Sequence, residues 1–465
     1  MTSNHDPAGI RRLAILLGAM LFLGSAYFFQ DPEWNGNSRL DLTRAVVERG
    51  TLRIDDFHDA PGWATGDKAF FQGHYYSDKA IGTSMLAVPV YLLLYRLSAA
   101  LGIPLEASLV KHVLTTCVVG VMYTVAGISM FAIAIRLARS TWIAFLATLG
   151  IAFGTMLWPY SVLFYGHVPT AGFLALAFAS LLVLRDRDET PPALQWFWIS
   201  LAMGMAFICD FSSAPVIMGL GAYALFLLWG RSPVRALQTA WPAIIGVAIP
   251  WMILIAYNLA VYGRPLEFGY SYEVEERFQE IMGLGFMGMR LPTLSAAYHI
   301  TFDPKFGVFW QSPILLLAPL GYLLAWHERR NRAEALLSVY CIGVVFFMNA
   351  ASYLWYGGSA FGPRLLISAL PFFIVPLSMI RAESAWIMAG LGAWSVANML
   401  IPLVGQIQYT RLEFDPERGG FRVDGDVFRG FSLLYGYGLS QVTSLQRLGK
   451  SPWTLGTSIG LPLWA

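Results

Sequence analysis

The chain has 465 residues, of which 56% are hydrophobic and only 13% are charged, and its mean hydropathy is +0.56. A soluble globular protein carries about 25% charged residues, so this composition excludes a string of soluble domains. The formal net charge of +2 excludes a strongly basic domain that binds nucleic acid.

The apolar residues fall into blocks close to the ~20 residues that cross a hydrocarbon core as a helix. The blocks lie, in chain order, at residues 12–30, 82–102, 111–137, 141–160, 166–184, 195–210, 213–230, 238–262, 306–326, 334–353, 365–380 and 384–404. They predict an all-α polytopic membrane protein with about 11–12 transmembrane helices.

Short arginine-bearing loops predict the cytoplasmic side of the protein, because such loops carry an excess of basic residues. Arginines at 136, 139, 185 and 187 alternate along the chain with polar, aromatic and acidic stretches. If block 82–102 crossed the membrane, every later loop would change side. We therefore expect this block to lie in the outer interface or to re-enter the membrane.

The external side then contains the large hydrophilic segments, so we expect the chemistry there. The first external loop is 31–81 and the second is 263–305. We divide the chain into a transmembrane domain, 1–404, and an external C-terminal segment, 405–465, whose role the sequence does not indicate.

The first external loop begins with a pattern typical of a short helix. Asn37 or Ser38 is suited to cap a helix over 39–49, and Gly50 is suited to end it in a left-handed conformation. The apolar residues of this helix share one face, which predicts a helix lying on the bilayer surface.

The same loop holds the densest ionisable residues of the chain. Lys79 stands immediately before an apolar block, so its ammonium group is expected at the depth of the lipid headgroups, where it can bind a lipid phosphate. The alternative is an ordinary interfacial lysine. Residues 55–59 contain aspartates and a histidine without a defined ligand geometry, and we predict no metal site there.

Two later external segments also carry candidate residues. His167 lies at the outer junction of two predicted spans, where a single histidine is usually structural. The turn 357–364 contains three glycines and ends at Arg364. Its backbone amides and the guanidinium group can hold an anion, whereas an interfacial aromatic belt is the alternative reading.

Five segments of the sequence together resemble a known family. In chain order they are 37–39, 73–82, 165–167, 262–265 and 357–364. They resemble bacterial membrane glycosyltransferases of the GT-C superfamily, related to protein O-mannosyltransferases and lipid A aminoarabinose transferases. The segments Tyr76–Lys79 and Phe361–Arg364 are the most specific parts of this resemblance.

The resemblance implies a polyprenyl-phosphate-linked sugar donor and inverting transfer to a lipid, glycan or protein acceptor. It also implies a bacterial inner membrane protein with its site on the periplasmic or extracellular side, in contact with membrane lipids. The residues that it places on the substrate or the lipid phosphate are Arg39, Tyr76, Lys79, Arg264 and Arg364, with His167 as a second site residue.

The sequence departs from the family at the catalytic base. Relatives usually carry an aspartate just before the arginine that Arg39 matches, but residues 35–38 here contain no carboxylate. The base is therefore expected to be Asp67, Asp41 or Asp78, and Asp67 ranks first because it lies in an irregular segment able to reach the site. No cofactor is required by this chemistry, and the need for a divalent cation stays open.

Two other functions are compatible with an external site in a membrane protein. A ligase or polymerase would move a whole glycan from a pyrophosphate-linked lipid. A lipid or solute transporter would carry charges within its spans, whereas the apolar blocks here are almost free of charge.

Overall fold

The computed structural model describes residues 7–187, 192–229, 238, 240–276, 279–280, 288–303, 306–405, 407, 412–415, 420–423 and 426–428. The chain divides into two compact units. Unit 1 consists of residues 1–30, 123–160 and 291–465, and unit 2 consists of residues 31–122 and 161–290.

Unit 2 contains the first external loop and the helices that follow it. Its helical segments are Glu33–Arg44, Ala45–Arg49, Gly82–Leu101, Ala107–Leu114, Thr115–Gly120, His167–Arg185, Ala193–Cys209, Phe211–Ser213, Ala214–Leu228, Pro242–Tyr262 and Gly269–Tyr272. Its two strands, Ala69–Phe71 and His74–Tyr76, form an antiparallel hairpin.

Unit 1 is also helical. The helix Val121–Leu137 has its first two residues in unit 2 and the rest in unit 1. The other helical segments of unit 1 are Pro7–Ala26, Thr141–Gly154, Leu157–Tyr160, Leu294–Thr301, Val308–Gln311, Pro313–Leu317, Ala318–His327, Arg332–Ala351, Arg364–Phe373, Ile374–Ser378, Ala382–Ser384 and Ala385–Val404. Strands Leu412–Asp415, Gly420–Val423 and Asp426–Phe428 form a three-stranded antiparallel sheet. The remainder of the predicted C-terminal segment lies outside the described residues.

The predicted membrane fold is confirmed. Among the described residues, eight helices are long and apolar enough to cross a membrane, and four shorter apolar helices accompany them. Each of the predicted apolar blocks corresponds to one of these helices, because the thickness of the hydrocarbon core imposes a common length. The chain is therefore a multi-pass membrane protein.

The helix of the first loop begins earlier than the sequence predicts. It starts at Glu33, whose backbone N–H donates to the Asp31 carboxylate over 2.9 Å, and it passes through Asn37 and Ser38 instead of being capped by them. It continues through a π-helical turn and ends at Gly50, which has a left-handed φ of 65° as expected. We call residues 33–49 the first-loop helix. Residues 36–43 and Ala45 are buried against the rest of the protein, and the position of this helix on the bilayer surface stays a prediction.

The helix Gly82–Leu101 has the length and composition to cross a membrane, yet it packs along the first-loop helix. The Thr43 hydroxyl donates to the Ser84 carbonyl over 3.1 Å, and the Tyr91 hydroxyl donates to the Glu48 carboxylate over 2.6 Å. These contacts favour an interfacial position, which stays a prediction.

The hairpin Ala69–Tyr76 is closed by a two-residue turn. Gln72 and Gly73 take left-handed φ values of 50° and 86°, as a tight hairpin turn requires. Side chains alternate across the strands, and Tyr76 joins an apolar cluster that also contains Tyr257 and Tyr262. The hairpin is thus anchored on the helix Pro242–Tyr262.

Candidate active site

The anchored hairpin brings two separated parts of the first loop together. Asp67 lies just before its first strand, and Asp78 and Lys79 lie just after its second strand. The Lys79 ammonium group lies 2.9 Å from the Asp67 carboxylate and also contacts the Asp78 carboxylate. The structure therefore joins three of the predicted site residues in one ion-pair cluster.

The first-loop helix fixes this cluster from a second side. The Ser38 hydroxyl lies 3.1 Å from the Asp78 Oδ1 atom and 2.8 Å from the Ser77 hydroxyl. Ser38 thus bonds to a tertiary partner where the sequence predicts a helix cap. The neighbouring Arg39 donates to the Ala80 carbonyl over 2.9 Å, so two adjacent helix residues hold the segment 77–80.

The two carboxylates of the cluster differ in exposure. The Asp78 side chain is fully buried, whereas the side chains of Asp67 and Lys79 are 11% and 10% exposed. Burial acts to lower the pKa of Lys79, but Asp67 and Asp78 outweigh it and hold that pKa well above its usual range. Lys79 is therefore positively charged, and Asp67 is the more exposed of its two carboxylate partners.

The second external loop supplies two residues that sequence reasoning did not select. The Tyr270 ring lies 5.6 Å from the Lys79 ammonium group. Glu273 is buried and pairs with Ala69 through an antiparallel backbone bridge, and its carboxyl Oε2 atom has no hydrogen-bond partner. We call Lys79, Asp67, Asp78, Ser38 and Glu273 the Lys79 cluster. In the sequence, the only signal for Glu273 is the acidic stretch that it forms with Glu275 and Glu276.

Gly269 is placed where only a glycine fits, because a Cβ atom there would lie 2.8 Å from the Asp78 Cα atom. We expect Gly269→Ala to displace the second loop and to destabilise the protein by about 1–3 kcal/mol. Thermal unfolding of the purified protein measures this loss. Gly221→Ala is the control, since no atom lies within 4 Å of that Cβ position. An unchanged midpoint for Gly269→Ala would contradict the packing described here.

His167 and Asp210 form a second pair of ionisable residues in unit 2. The His167 Nδ1 atom lies 2.7 Å from Asp210 Oδ2, and Ser212 donates to Asp210 Oδ1 through its backbone N–H and its hydroxyl. Burial acts to raise the pKa of Asp210, but the hydrogen bonds from His167 and Ser212 outweigh it and lower that pKa to about 2. A Cβ atom on Gly166 would lie 3.4 Å from the Arg39 guanidinium, so this pair lies beside Arg39.

Asp41, the alternative base, is sealed inside unit 2. It is fully buried, neither carboxyl oxygen has a hydrogen-bond partner, and the nearest guanidinium atom of Arg44 is 3.8 Å away. Burial raises the pKa of Asp41 well above its usual range. A buried carboxyl group of this kind is poorly placed to take a proton from an acceptor.

The three other predicted residues lie elsewhere. Tyr76 belongs to the apolar cluster of unit 2, and Arg264 is 73% exposed with Glu267 3.6 Å away. Arg364 belongs to unit 1 and follows a turn in which Gly357, Gly358 and Gly362 are left-handed. The roles of these residues stay predictions.

The described part of the chain holds no group of three or more histidine, cysteine, aspartate or glutamate side chains arranged to bind a metal ion.

The fold resembles those of solved membrane enzymes. It is similar to the crystal structure of ArnT from Cupriavidus metallidurans bound to undecaprenyl phosphate, with a TM-score of 0.50 and 14% identity, over 98% of this chain and 75% of that one. Archaeal oligosaccharyltransferase AglB from Archaeoglobus fulgidus, in complex with an inhibitory peptide and a dolichol-phosphate, gives a TM-score of 0.46 and 9% identity, over 85% and 58%. Arabinosyltransferase EmbB from Mycobacterium smegmatis gives 0.42 and 10%, over 99% and 40%.

No family model matches the sequence, and no curated protein matches it. At 14% identity, the likeness to ArnT establishes the fold. The chain therefore has the membrane fold of ArnT, which agrees with the fold that the sequence resemblance implies.

Proposed function

We propose that this chain is a membrane glycosyltransferase that moves a sugar from a polyprenyl-phosphate-linked donor to an acceptor hydroxyl at the external face of the membrane. One observation carries the proposal. On the fold of ArnT, whose crystal structure holds undecaprenyl phosphate, the first loop pairs the Lys79 ammonium group with the carboxylate of Asp67, whose side chain is 11% exposed.

Asp67 is the proposed general base. It is paired with Lys79 in the Lys79 cluster, and its side chain is 11% exposed whereas that of Asp78 is fully buried. A base must come within hydrogen-bond reach of the proton that it removes. Asp67 meets this requirement better than Asp78 or Asp41, and Asp78 serves to hold Lys79 in place.

The proposed reaction is a direct displacement. Asp67 removes the proton of the acceptor hydroxyl, and the acceptor oxygen attacks the anomeric carbon from the face opposite the phosphate. The bond between that carbon and the phosphate oxygen breaks, and polyprenyl phosphate leaves with the electron pair. The configuration at the anomeric carbon is therefore inverted.

Lys79 is proposed to stabilise the leaving group. The phosphate gains negative charge as the bond breaks, and a fixed ammonium group in a water-poor site stabilises such charge strongly. Arg39 already donates to the Ala80 carbonyl, so its proposed main role is to position the segment that carries Lys79. Arg364 and Arg264 remain candidates for further contacts with the phosphate or the acceptor.

Ligand binding tests the donor class without knowledge of the acceptor. The purified protein in lipid nanodiscs is heated with polyprenyl phosphate, with a polyprenyl-pyrophosphate-linked glycan, or with phosphatidylglycerol. A ligand at 100 times its dissociation constant stabilises a protein by about 2.7 kcal/mol. Of these three lipids, we expect only polyprenyl phosphate to raise the unfolding temperature of the protein. A rise only with the pyrophosphate-linked glycan would favour the ligase function, and no rise with any lipid would contradict the proposal.

A further inference from the structure

The first-loop helix borders a cavity of about 250 Å³ that the proposed reaction does not use. The cavity lies between this helix and the helix Gly82–Leu101, and all of its lining residues belong to unit 2. Its volume equals that of about eight water molecules in the liquid and is just below the ~300–1,000 Å³ of ordinary ligand pockets. The cavity therefore has room for one ring-sized molecule.

Arg44 supplies a rigidly held donor group to the wall of this cavity. Its guanidinium carbon lies 4.6 Å from the centre of the Phe57 ring and 4.2 Å from that of Trp63. Its Nε atom donates to Glu48 Oε1 over 3.0 Å, and its Nη1 atom is buried without a hydrogen-bond partner. Two aromatic faces and one ion pair thus fix the guanidinium group and leave part of its donor capacity unused.

Glu48 supplies an acceptor beside this donor. Its Oε1 atom accepts hydrogen bonds from Arg44 and, over 2.6 Å, from the Tyr91 hydroxyl. A carboxylate accepts at both oxygens, yet within the described residues no donor contacts Oε2 of Glu48. Tyr95, whose ring lies 6.1 Å from that of Tyr91, is an exposed residue of the same wall. The cavity thus combines a guanidinium group, a carboxylate oxygen and an accessible aromatic ring.

A neutral sugar ring fits these groups better than an ion or a lipid chain does. A phosphate would face the Glu48 carboxylate, and a cation would face Arg44. An apolar chain would take the ion pair out of water without replacing its hydrogen bonds. Neighbouring sugar hydroxyls, by contrast, accept from a guanidinium and donate to a carboxylate, and the apolar face of the ring can pack on the apolar body of Tyr95.

The cavity is separate from the Lys79 cluster, although both adjoin the first-loop helix. Ser38 of the cluster lies roughly 9 Å from Arg44 and roughly 15 Å from Glu48 along the helix axis, at 1.5 Å per residue. The donor sugar is bonded directly to the phosphate that Lys79 is proposed to bind, so it belongs in the cluster itself. A sugar in the cavity therefore comes from the acceptor.

We infer that this cavity binds one sugar unit of a carbohydrate acceptor, which donates to Glu48 Oε2, accepts from the Arg44 guanidinium group and packs on Tyr95. The assignment of this sugar to the acceptor rests on the proposed transferase function. The binding of a free sugar ring does not, because it needs neither the donor nor transfer.

The test measures the binding of methyl glucoside, methyl galactoside and methyl mannoside to the purified protein in nanodiscs by NMR titration, without donor. Inorganic phosphate is the anionic probe. Ala99→Phe fills the cavity, and Ala100→Phe is its matched control, because Ala100 is an exposed neighbour outside the lining. Glu48→Gln removes the charged acceptor, and its control is Glu106→Gln, a substitution of an exposed acid outside the lining.

We expect at least one glycoside to bind the wild type and the two controls with equal affinity. Ala99→Phe should abolish this binding, and Glu48→Gln should weaken it about 10- to 100-fold, as expected for loss of a hydrogen bond to a charged group. Failure of all three glycosides to bind the wild type, or equal binding to Ala99→Phe, would overturn the inference. Binding of phosphate in place of the glycosides, removed by Ala99→Phe, would overturn it as well.

Turnover distinguishes the acceptor from the donor as the source of the sugar. We expect Ala99→Phe to raise the KM for the acceptor and to leave unchanged the rise in unfolding temperature that a polyprenyl-phosphate sugar causes. Loss of that rise in Ala99→Phe, with the rise caused by polyprenyl phosphate retained, would place the donor sugar in the cavity and overturn the acceptor assignment.

The same measurements separate this inference from the proposed function. Glycoside binding that Ala99→Phe abolishes, in a protein that transfers no sugar, would reject the proposed function and leave the cavity as a sugar site. Sugar transfer that Lys79→Ala abolishes but Ala99→Phe leaves unchanged would reject the inference and leave the proposed function intact.

Discussion

Replacing Lys79 by alanine is expected to lower sugar transfer by at least about 100-fold, the usual cost of removing a group that stabilises a developing charge. The substitution also leaves the buried Asp78 and the nearly buried Asp67 without their cation. Breaking a buried ion pair in this way costs about 3–5 kcal/mol of stability. Turnover and the unfolding temperature of the same purified protein measure the two effects.

Two further variants make this result interpretable. Lys79→Arg keeps the positive charge, so we expect it to fold even if Lys79→Ala does not. We also expect Lys79→Arg to retain part of the sugar-transfer activity. Lys68→Ala is the matched control, because Lys68 pairs with Asp59 over 3.2 Å and contacts His58 instead of the cluster. Turnover of Lys79→Ala within about fivefold of the wild type would show that Lys79 does not stabilise the leaving phosphate.

Replacing Asp67 by asparagine is expected to remove transfer but to preserve donor binding. The amide has nearly the shape of the carboxylate but cannot accept the proton of the acceptor hydroxyl. General-base catalysis contributes about 10²–10⁴ in rate, and we expect a loss of that size in turnover. The shift of unfolding temperature caused by polyprenyl phosphate should persist, because Lys79 is still present.

Asp59→Asn provides the control for Asp67→Asn. The Asp59 side chain is 75% exposed and lies in the same loop, so its substitution should leave turnover within about twofold of the wild type. If Asp67→Asn keeps more than about a tenth of the wild-type turnover, Asp67 is not the base. Asp78→Asn and Asp41→Asn are then the variants to compare.

The membrane architecture was predictable from the sequence because the thickness of the bilayer imposes a common length on the helices that cross it. The predicted blocks 166–184 and 384–404, for example, appear as the helices His167–Arg185 and Ala385–Val404. Charge placement also predicts the candidate site in the first loop, 31–81, and the structure pairs Lys79 with Asp67 within that loop. The apolar helices were predictable because all of them lie in the same solvent, the bilayer. The pairing of Lys79 with Asp67 joins residues that are close in sequence.

Local rules were less reliable where a tertiary partner competes for the same side chain. Ser38 has the residue type of a helix cap, yet its hydroxyl bonds to Asp78 and Ser77 inside a longer helix. Nothing in the residues around Ser38 indicates this partner, because the hairpin that delivers Asp78 is anchored by Tyr257 and Tyr262, far along the chain.

The same reason explains why the sequence does not indicate Glu273 as a site residue, and why it makes Asp210 a candidate at the end of a predicted span without indicating its partner. Glu273 lies beside the hairpin only because its backbone pairs with Ala69, and Asp210 reaches His167 only because two helices pack side by side. Sequence adjacency carries no information about such contacts. A rule that every buried ionisable group needs a partner identifies them once the fold is known.

The most direct test of the account is the release of polyprenyl phosphate from radiolabelled polyprenyl-phosphate hexoses and pentoses. The wild type, Asp67→Asn and Asp59→Asn are purified in nanodiscs and supplied with a membrane lipid and glycan extract as the source of acceptor. We predict that the wild type and Asp59→Asn release polyprenyl phosphate and label an acceptor, and that Asp67→Asn does neither. Release by none of the three proteins, or equal release by all three, would contradict the account.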